Sequence, residues 1–369
     1  EGPRTRATRL IERTGGLFSR EDEEVLARVL ELTDSASDEL RRARLASASS
    51  LEQRINPKAA AQLIAAFNSA GRPLEAVRLG QLMSVRPVVR NDPPAMLELL
   101  RAIHAIDRYQ LAVDVVAPWQ KRRLVVDEPD FYLLGCEMLY RAGAWTNLFG
   151  LAVGLERRNF DDQRKRLGQY YMGVALIEVR QYQKGAEVLE NALKGVNRDP
   201  FPDGTSRAWQ VLARAYRELD KSGDELRSLL AAVAADPMCD GEVRLRLTEL
   251  VRESGNRVPR TPLHHLTHAI ARMPARTAEL MPLWQELGEE ELATSIVSLR
   301  SIYDRLRVNG QWLPAKDATP YRLYQLGELY AGDERWIGLA ATASALLEGY
   351  PGFLPALDQL IRAQVELGN

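Results

Sequence analysis

"SRAWQVLARAYRELDKSGDELRSLLAAVAADP" (Ser206–Pro237) decides how this chain is read. Trp209, Leu212, Ala213 and Tyr216 recur at helical steps, so two large side chains and one small one share a face. Leu229 and Ala232 mark a second apolar face, and Asp236-Pro237 stops it. Two short amphipathic helices joined by a turn form a hairpin. A hairpin of this size cannot bury its apolar face alone and needs neighbours of the same kind.

The rest of the chain supplies them. Apolar residues recur at steps of three and four nearly throughout, and strand-like alternation is almost absent. Turn signals break the pattern at "NSAGRP" (Asn68–Pro73), "RNDPP" (Arg90–Pro94), "RAGAW" (Arg141–Trp145), "NRDPFPDG" (Asn197–Gly204) and "AADP" (Ala234–Pro237). One residue early in each second helix marks a period: Ala76, Ala112, Leu148, Gly185, Glu225, Arg260, Ala293 and Leu339. Most of these lie near 35 residues apart, the spacing of two-helix repeats. Glu225 stands where a small residue is usual, which predicts a looser contact there.

The Ser206–Pro237 stretch resembles the tetratricopeptide repeat, a family of helical-hairpin solenoids. Trp209, Leu212, Ala213 and Tyr216 match the family's first helix; Leu229, Ala232 and Pro237 match its second. "YRLYQLGELYAGDERWIGLAATASALLEGYP" (Tyr321–Pro351) is a second good copy, with Leu326, Gly327, Tyr330, Ala343 and Pro351 in phase. Weaker copies between Asn56 and Arg300 include Leu280 and Trp284, with Pro282 expected to kink that helix. The resemblance implies an all-α, right-handed α-solenoid of about eight hairpins with a capping helix at the C-terminal end. The expected organisation is a flexible lead over 1–18 and a degenerate hairpin over 19–55. A repeat array over 56–257 and degenerate repeats over 258–307 follow, then an inserted loop over 308–320 and a last repeat plus capping helix over 321–369.

Composition limits the function classes. The 369 residues are 46% hydrophobic and 27% charged, as in a folded chain, and the net charge of −1 provides no global basic field for nucleic acid. Basic charge is mostly Arg, read as the bias of a GC-rich bacterial genome. Cys136 and Cys239 form no metal-binding pattern and no disulfide framework. No apolar run approaches the ~20 residues of a membrane span. Cytoplasm and periplasm both fit.

Catalytic signatures are missing: no glycine-rich phosphate loop, no nucleophile elbow, no cysteine with an evident histidine partner. No cofactor or catalytic residue is assigned. "LHHLTH" (Leu263–His268) puts His264 and His268 on one helix face, a spacing that can chelate zinc, but it lacks the HExxH glutamate. Surface or packing histidines are the favoured reading, and a zinc module is an alternative.

Binding is the leading function. In the family resembled, the first helices line a concave groove. By phase with Trp209, that face carries Arg207, Gln210, Arg214 and Arg217, with Arg101, Tyr140, Arg141 and Tyr170 at corresponding or adjacent positions. Arg and Tyr are enriched at binding hot spots. The expectation is a non-catalytic scaffold or adaptor that holds an acidic or mixed-polarity protein segment. An RNA-binding repeat is the alternative, opposed by the charge balance. Trp312 in "NGQWLPAKDATP" (Asn309–Pro320) is expected to tuck into the core, with a docking knob as the other reading.

Overall fold

The computed structural model describes residues 57–368 except short stretches at 85–86, 123–127, 158–159, 197–199, 255–260 and 315–317, together with residues 5, 8 and 9. The expected lead and N-terminal hairpin, 1–55, lie almost wholly outside the described residues. Among the described residues there are helices and turns and no strand. None of the helices is long and apolar enough to cross a membrane.

Contacts divide the chain into unit 1, Glu1–Gly204, and unit 2, Thr205–Asn369. Unit 1 holds four described hairpins: α1 (Pro57–Ser69) with α2 (Pro73–Met83), α3 (Pro93–Ala105) with α4 (Leu111–Arg122), α5 (Pro129–Arg141) with α6 (Trp145–Arg157), and α7 (Asp162–Glu178) with α8 (Tyr182–Leu193). In unit 2, α9 (Gly204–Glu218) pairs with α10 (Ser222–Ala235) and α11 (Gly241–Ser254) with α12 (Pro262–Arg272). There follow α13 (Thr277–Ala293), α14 (Leu299–Val308), the hairpin of α15 (Pro320–Gly332) with α16 (Trp336–Gly349), and a final helix, α17 (Leu354–Leu367).

Six hairpin turns share one construction. Their second residue is left-handed: Gly71, Asp107, Gly143, Arg180, Asp220 and Glu334, with φ between 54° and 69°. The next residue donates its N–H to the carbonyl five positions back, as Arg72 does to Phe67, Gln181 to Leu176, Lys221 to Tyr216 and Arg335 to Tyr330. This closure satisfies the last carbonyls of the first helix and reverses the chain. Every period marker that follows such a turn stands five residues after the left-handed residue, which is why the spacing was legible. Ala293 is a misplacement: it is the exposed last residue of α13, not an early residue of a second helix. Arg260 lies outside the described residues.

Small-against-large packing holds the hairpins. In unit 1, a Cβ at Gly173 would lie 2.9–3.1 Å from the Cβ, N and Cα of Leu189, and one at Gly185 would lie 3.0 Å from the Gly173 carbonyl. Backbone therefore meets backbone between α7 and α8. In unit 2, Gly338 seats the ring of Tyr330 and Gly288 the ring of Tyr321. Ala213, Leu229, Val233, Val243 and Leu247 join α9, α10 and α11 in one cluster. Trp284 is fully buried at the centre of another, within 5.0–5.4 Å of Tyr321, Tyr324 and Phe353, and its indole donates to Thr267 Oγ1 at 2.8 Å.

Two expectations are corrected. Trp209 is only partly buried, whereas Leu212, Ala213 and Tyr216 are core. α13, with Pro282 inside it, runs as one helix from Thr277 to Ala293. Glu225 does not loosen its hairpin. It is 1% exposed and ties three helices, accepting from Arg217 of α9 at 2.7 Å and from both Nε and Nη2 of Arg246 of α11 at 2.9 Å. Trp312 folds back on the helices: it is partly buried, edge-on to Tyr330 at 5.8 Å and under the Arg335 guanidinium at 4.7 Å.

Candidate functional site

First helices α3, α5 and α7 of unit 1 present their open faces to one groove of about 530 Å³. Capping fixes where each face begins. Asp92 accepts from Ala95 N at 3.0 Å ahead of α3, and Pro129 opens α5 with φ already helical. Asp161 accepts from Arg164 N at 2.9 Å ahead of α7. Helical spacing then lines up Leu97 and Arg101 on α3. It likewise aligns Asp130, Leu133, Leu134, Glu137 and Arg141 on α5, and Leu167 and Tyr171 on α7.

The groove has an apolar floor and a rim of both signs. Leu97, Tyr171 and Phe201 are nearly buried within it. Arg101 pairs with Glu98 on its own helix and lies 3.8 Å from Asp130. Arg141 binds Glu137 at 3.1 Å and stacks 5.6 Å over the Tyr109 ring, and His104 stands 3.5 Å from the same Glu137. Arg101 and Arg141 remain exposed while so engaged, so a partner's carboxylate can reach them.

One wall comes from the α8–α9 connection. Pro200, Phe201 and Pro202 line the groove, and Phe201 lies on the Tyr170 ring at 4.8 Å with planes 28° apart. Tyr140 donates its hydroxyl to Asp203 at 2.5 Å. Burial pushes the phenols of Tyr170 and Tyr171 well above the usual tyrosine range, so both stay neutral.

Of the residues expected to touch a partner, Arg101 and Arg141 line the groove, and Tyr140 anchors its wall. Tyr170 is a correction: it is 0% exposed, and its neighbour Tyr171 has the groove position instead. In unit 2, Arg207 and Arg214 are exposed on α9. Arg207 binds Gln210 at 3.1 Å, and Gln210 binds Ser206 at 3.4 Å. Arg217 is occupied as a counter-ion of buried Glu225. The apolar floor and Phe201 were not foreseen. "DPFPDG" (Asp199–Gly204) was read only as a break, although an aromatic between two prolines in a turn was a signal in plain sight.

The histidine motif serves packing. His265 is buried and its Nδ1 faces Arg244 Nη1 at 3.4 Å, with Arg244 itself 1% exposed. His264 Nδ1 is 2.9 Å from the Tyr350 hydroxyl, and the His268 ring lies 4.6 Å from the Tyr350 ring. Among the described residues no three His, Cys, Asp or Glu side chains converge as a metal site. Cys136 and Cys239 are free and buried, and burial raises both thiols.

No protein-family model matches the chain, and no curated protein matches it. Among solved structures it is similar to "MamA 41-end from Desulfovibrio magneticus RS-1", at 19% identity over 60% of this chain and 96% of that one, with a TM-score of 0.30. A likeness at that level adds nothing to the helical-repeat architecture read directly from the hairpins.

Proposed function

We propose that this protein is a non-catalytic interaction scaffold whose unit 1 holds an extended segment of a partner protein. The groove on the first-helix faces of α3, α5 and α7 carries the reading. Its leucine and tyrosine floor suits an aliphatic or aromatic anchor, and its mixed rim suits polar flanks. A partner carboxylate would meet Arg101 or Arg141, and a partner cation Asp130 or Glu137. Exposed Arg207 and Arg214 on α9, with half-buried Gln210 between them, are a second stretch of the kind that makes such contacts.

The test is capture by the immobilised chain with mass spectrometry of what it retains, after nuclease treatment. The wild type is compared with Leu134→Arg and with the double variant Arg101→Glu, Arg141→Glu. Both should fold normally and lose a specific protein partner at least about tenfold, the scale of a single hot spot. Equal retention by all three, or salt-sensitive recovery of RNA alone without nuclease, would overturn the proposal.

A further inference from the structure

The loop that interrupts the repeat builds one wall of a cavity. Eleven residues, 309–319, join α14 to α15, where five of the six hairpin turns use three. Trp312 clamps this joint onto α15: besides the ring contact with Tyr330, its carbonyl accepts the Tyr330 hydroxyl at 3.1 Å. At the start of the joint, Gln311 donates its N–H to the Leu306 carbonyl at 2.9 Å. So held, Gln311 and Pro314 wall a cavity of about 320 Å³ between α14 and α15, wholly within unit 2.

The cavity has an aliphatic floor and a cationic edge. Leu299, Ile302 and Leu306, at steps of three and four on α14, line it together with Leu326 of α15. Leu306 and Leu326 are 5% and 1% exposed, whereas Leu299 and Ile302 are only half-buried. Apolar surface therefore stays open inside the cavity, and covering it is favourable. Arg305 and Arg322 also line it, one from each helix, and among the described residues no carboxylate does. Asp304, the carboxylate of α14, lies 3.5 Å from Arg300 instead. Arg322 is steadied by donating Nη2 to Ser295 Oγ at 2.8 Å, and Arg305 is exposed at the rim.

We propose that this cavity binds a short aliphatic carboxylate, its chain on the leucines and isoleucine and its head at Arg305 and Arg322. Volume sets the size. At about 30 Å³ for each water-sized space there is room for about ten non-hydrogen atoms, which is the size of octanoate. That places the cavity at the small end of ligand pockets, about 300–1,000 Å³. Charge sets the head, because a guanidinium meets a planar carboxylate through two parallel N–H bonds. The floor sets the body: a purely polar anion would leave four aliphatic side chains without a partner. The inference concerns unit 2 and stands independently of the groove in unit 1.

Isothermal titration of the full chain with sodium octanoate tests it, with octanol as the uncharged probe of the same length. Octanoate should bind saturably with a Kd below about 1 mM, the affinity that some ten atoms reach in a preformed cavity. Octanol should bind at least about tenfold more weakly, having no charge for the arginines. Arg305→Gln, at an exposed position, should keep its circular dichroism melt and weaken octanoate at least about tenfold. Ile302→Trp, which fills the cavity, should abolish binding. No saturable binding of octanoate up to about 5 mM, octanol as tight as octanoate, or octanoate binding unchanged in Arg305→Gln overturns the proposal.

Discussion

The two units build the same hairpin with different interiors. Among the described residues, tyrosines and tryptophans aside, every buried polar or charged side chain belongs to unit 2: Glu225, Ser228, Arg244, Thr248, His265, Thr267, Thr342 and Gln359. Unit 1 instead brings helices together at glycine, with backbone against backbone where Gly173 meets Leu189. An apolar contact is tolerant of small slips. A buried carboxylate held by two guanidinium groups from two other helices is not, because every misalignment leaves a charge unpaired. Unit 2 thus has its register fixed by polar pairing where unit 1 relies on close approach.

The largest expected effect tests whether unit 2 depends on its polar contacts or on ordinary packing. Trp284→Ala removes three ring contacts and the indole bond to Thr267 and should cost about 3–5 kcal/mol. Urea denaturation followed by circular dichroism measures it, and hydrogen exchange should place the loss in unit 2. A loss under about 1 kcal/mol would mean that the aromatic cluster is not the core of that unit.

A more pointed comparison uses Glu225. Arg246→Met leaves the buried carboxylate with Arg217 alone and should cost about 2–3 kcal/mol. Arg217→Met, removing the more exposed partner, should cost less than about 1 kcal/mol. Burial alone would raise the Glu225 carboxyl, but hydrogen bonds from Arg246 and Arg217 outweigh it and hold it below the usual range. Its contribution is therefore fully present above the ordinary glutamate value of about 4.3 and is lost as pH falls through the lower folded value. Stability of unit 2 against acid should fall less steeply in Glu225→Gln. A parallel acid slope in variant and wild type would show that this carboxylate does not set it.

The smallest effect belongs to unit 1. Gly173→Ala pushes a methyl group into the backbone of Leu189 and should cost about 1–2 kcal/mol, read from the same urea midpoint. A neutral result would show that α7 and α8 can spread, and the contrast between the two interiors would weaken.

Much of the architecture was legible because the turn geometry repeats. The markers Ala76, Ala112, Leu148, Gly185, Glu225 and Leu339 follow the left-handed residue at a fixed distance, whatever that residue is. Glycine announces only two of those six turns. Asp107 and Asp220 are of a type enriched at positive φ, whereas Arg180 and Glu334 adopt it without any compositional sign. Extrapolating the same period to Ala293 failed, because position 288 lies inside α13 and no turn precedes the marker. Half of the candidate site was visible for a similar reason. Arg101 and Arg141 follow the helical period, but Tyr170 and Tyr171 sit only about 100° apart on a helix, within the error of any phase read from sequence. Phe201 belongs to a connection with no period, and Glu225 depends on partners 8 and 21 residues away.

The joints of the chain differ in length. Five of the six turns described above have three residues, at 70–72, 142–144, 179–181, 219–221 and 333–335, and the sixth, 106–110, has five within the same closure. Seven residues, 255–261, join α11 to α12, and the longest joints precede α9 and α15, the ten residues 194–203 and the eleven residues 309–319. Both have acquired an aromatic that folds back, Phe201 onto Tyr170 and Trp312 onto Tyr330. Such joints accept grafted sequence without disturbing the hairpins on either side, so a helical array of this design can gain a new surface while its frame stays unaltered.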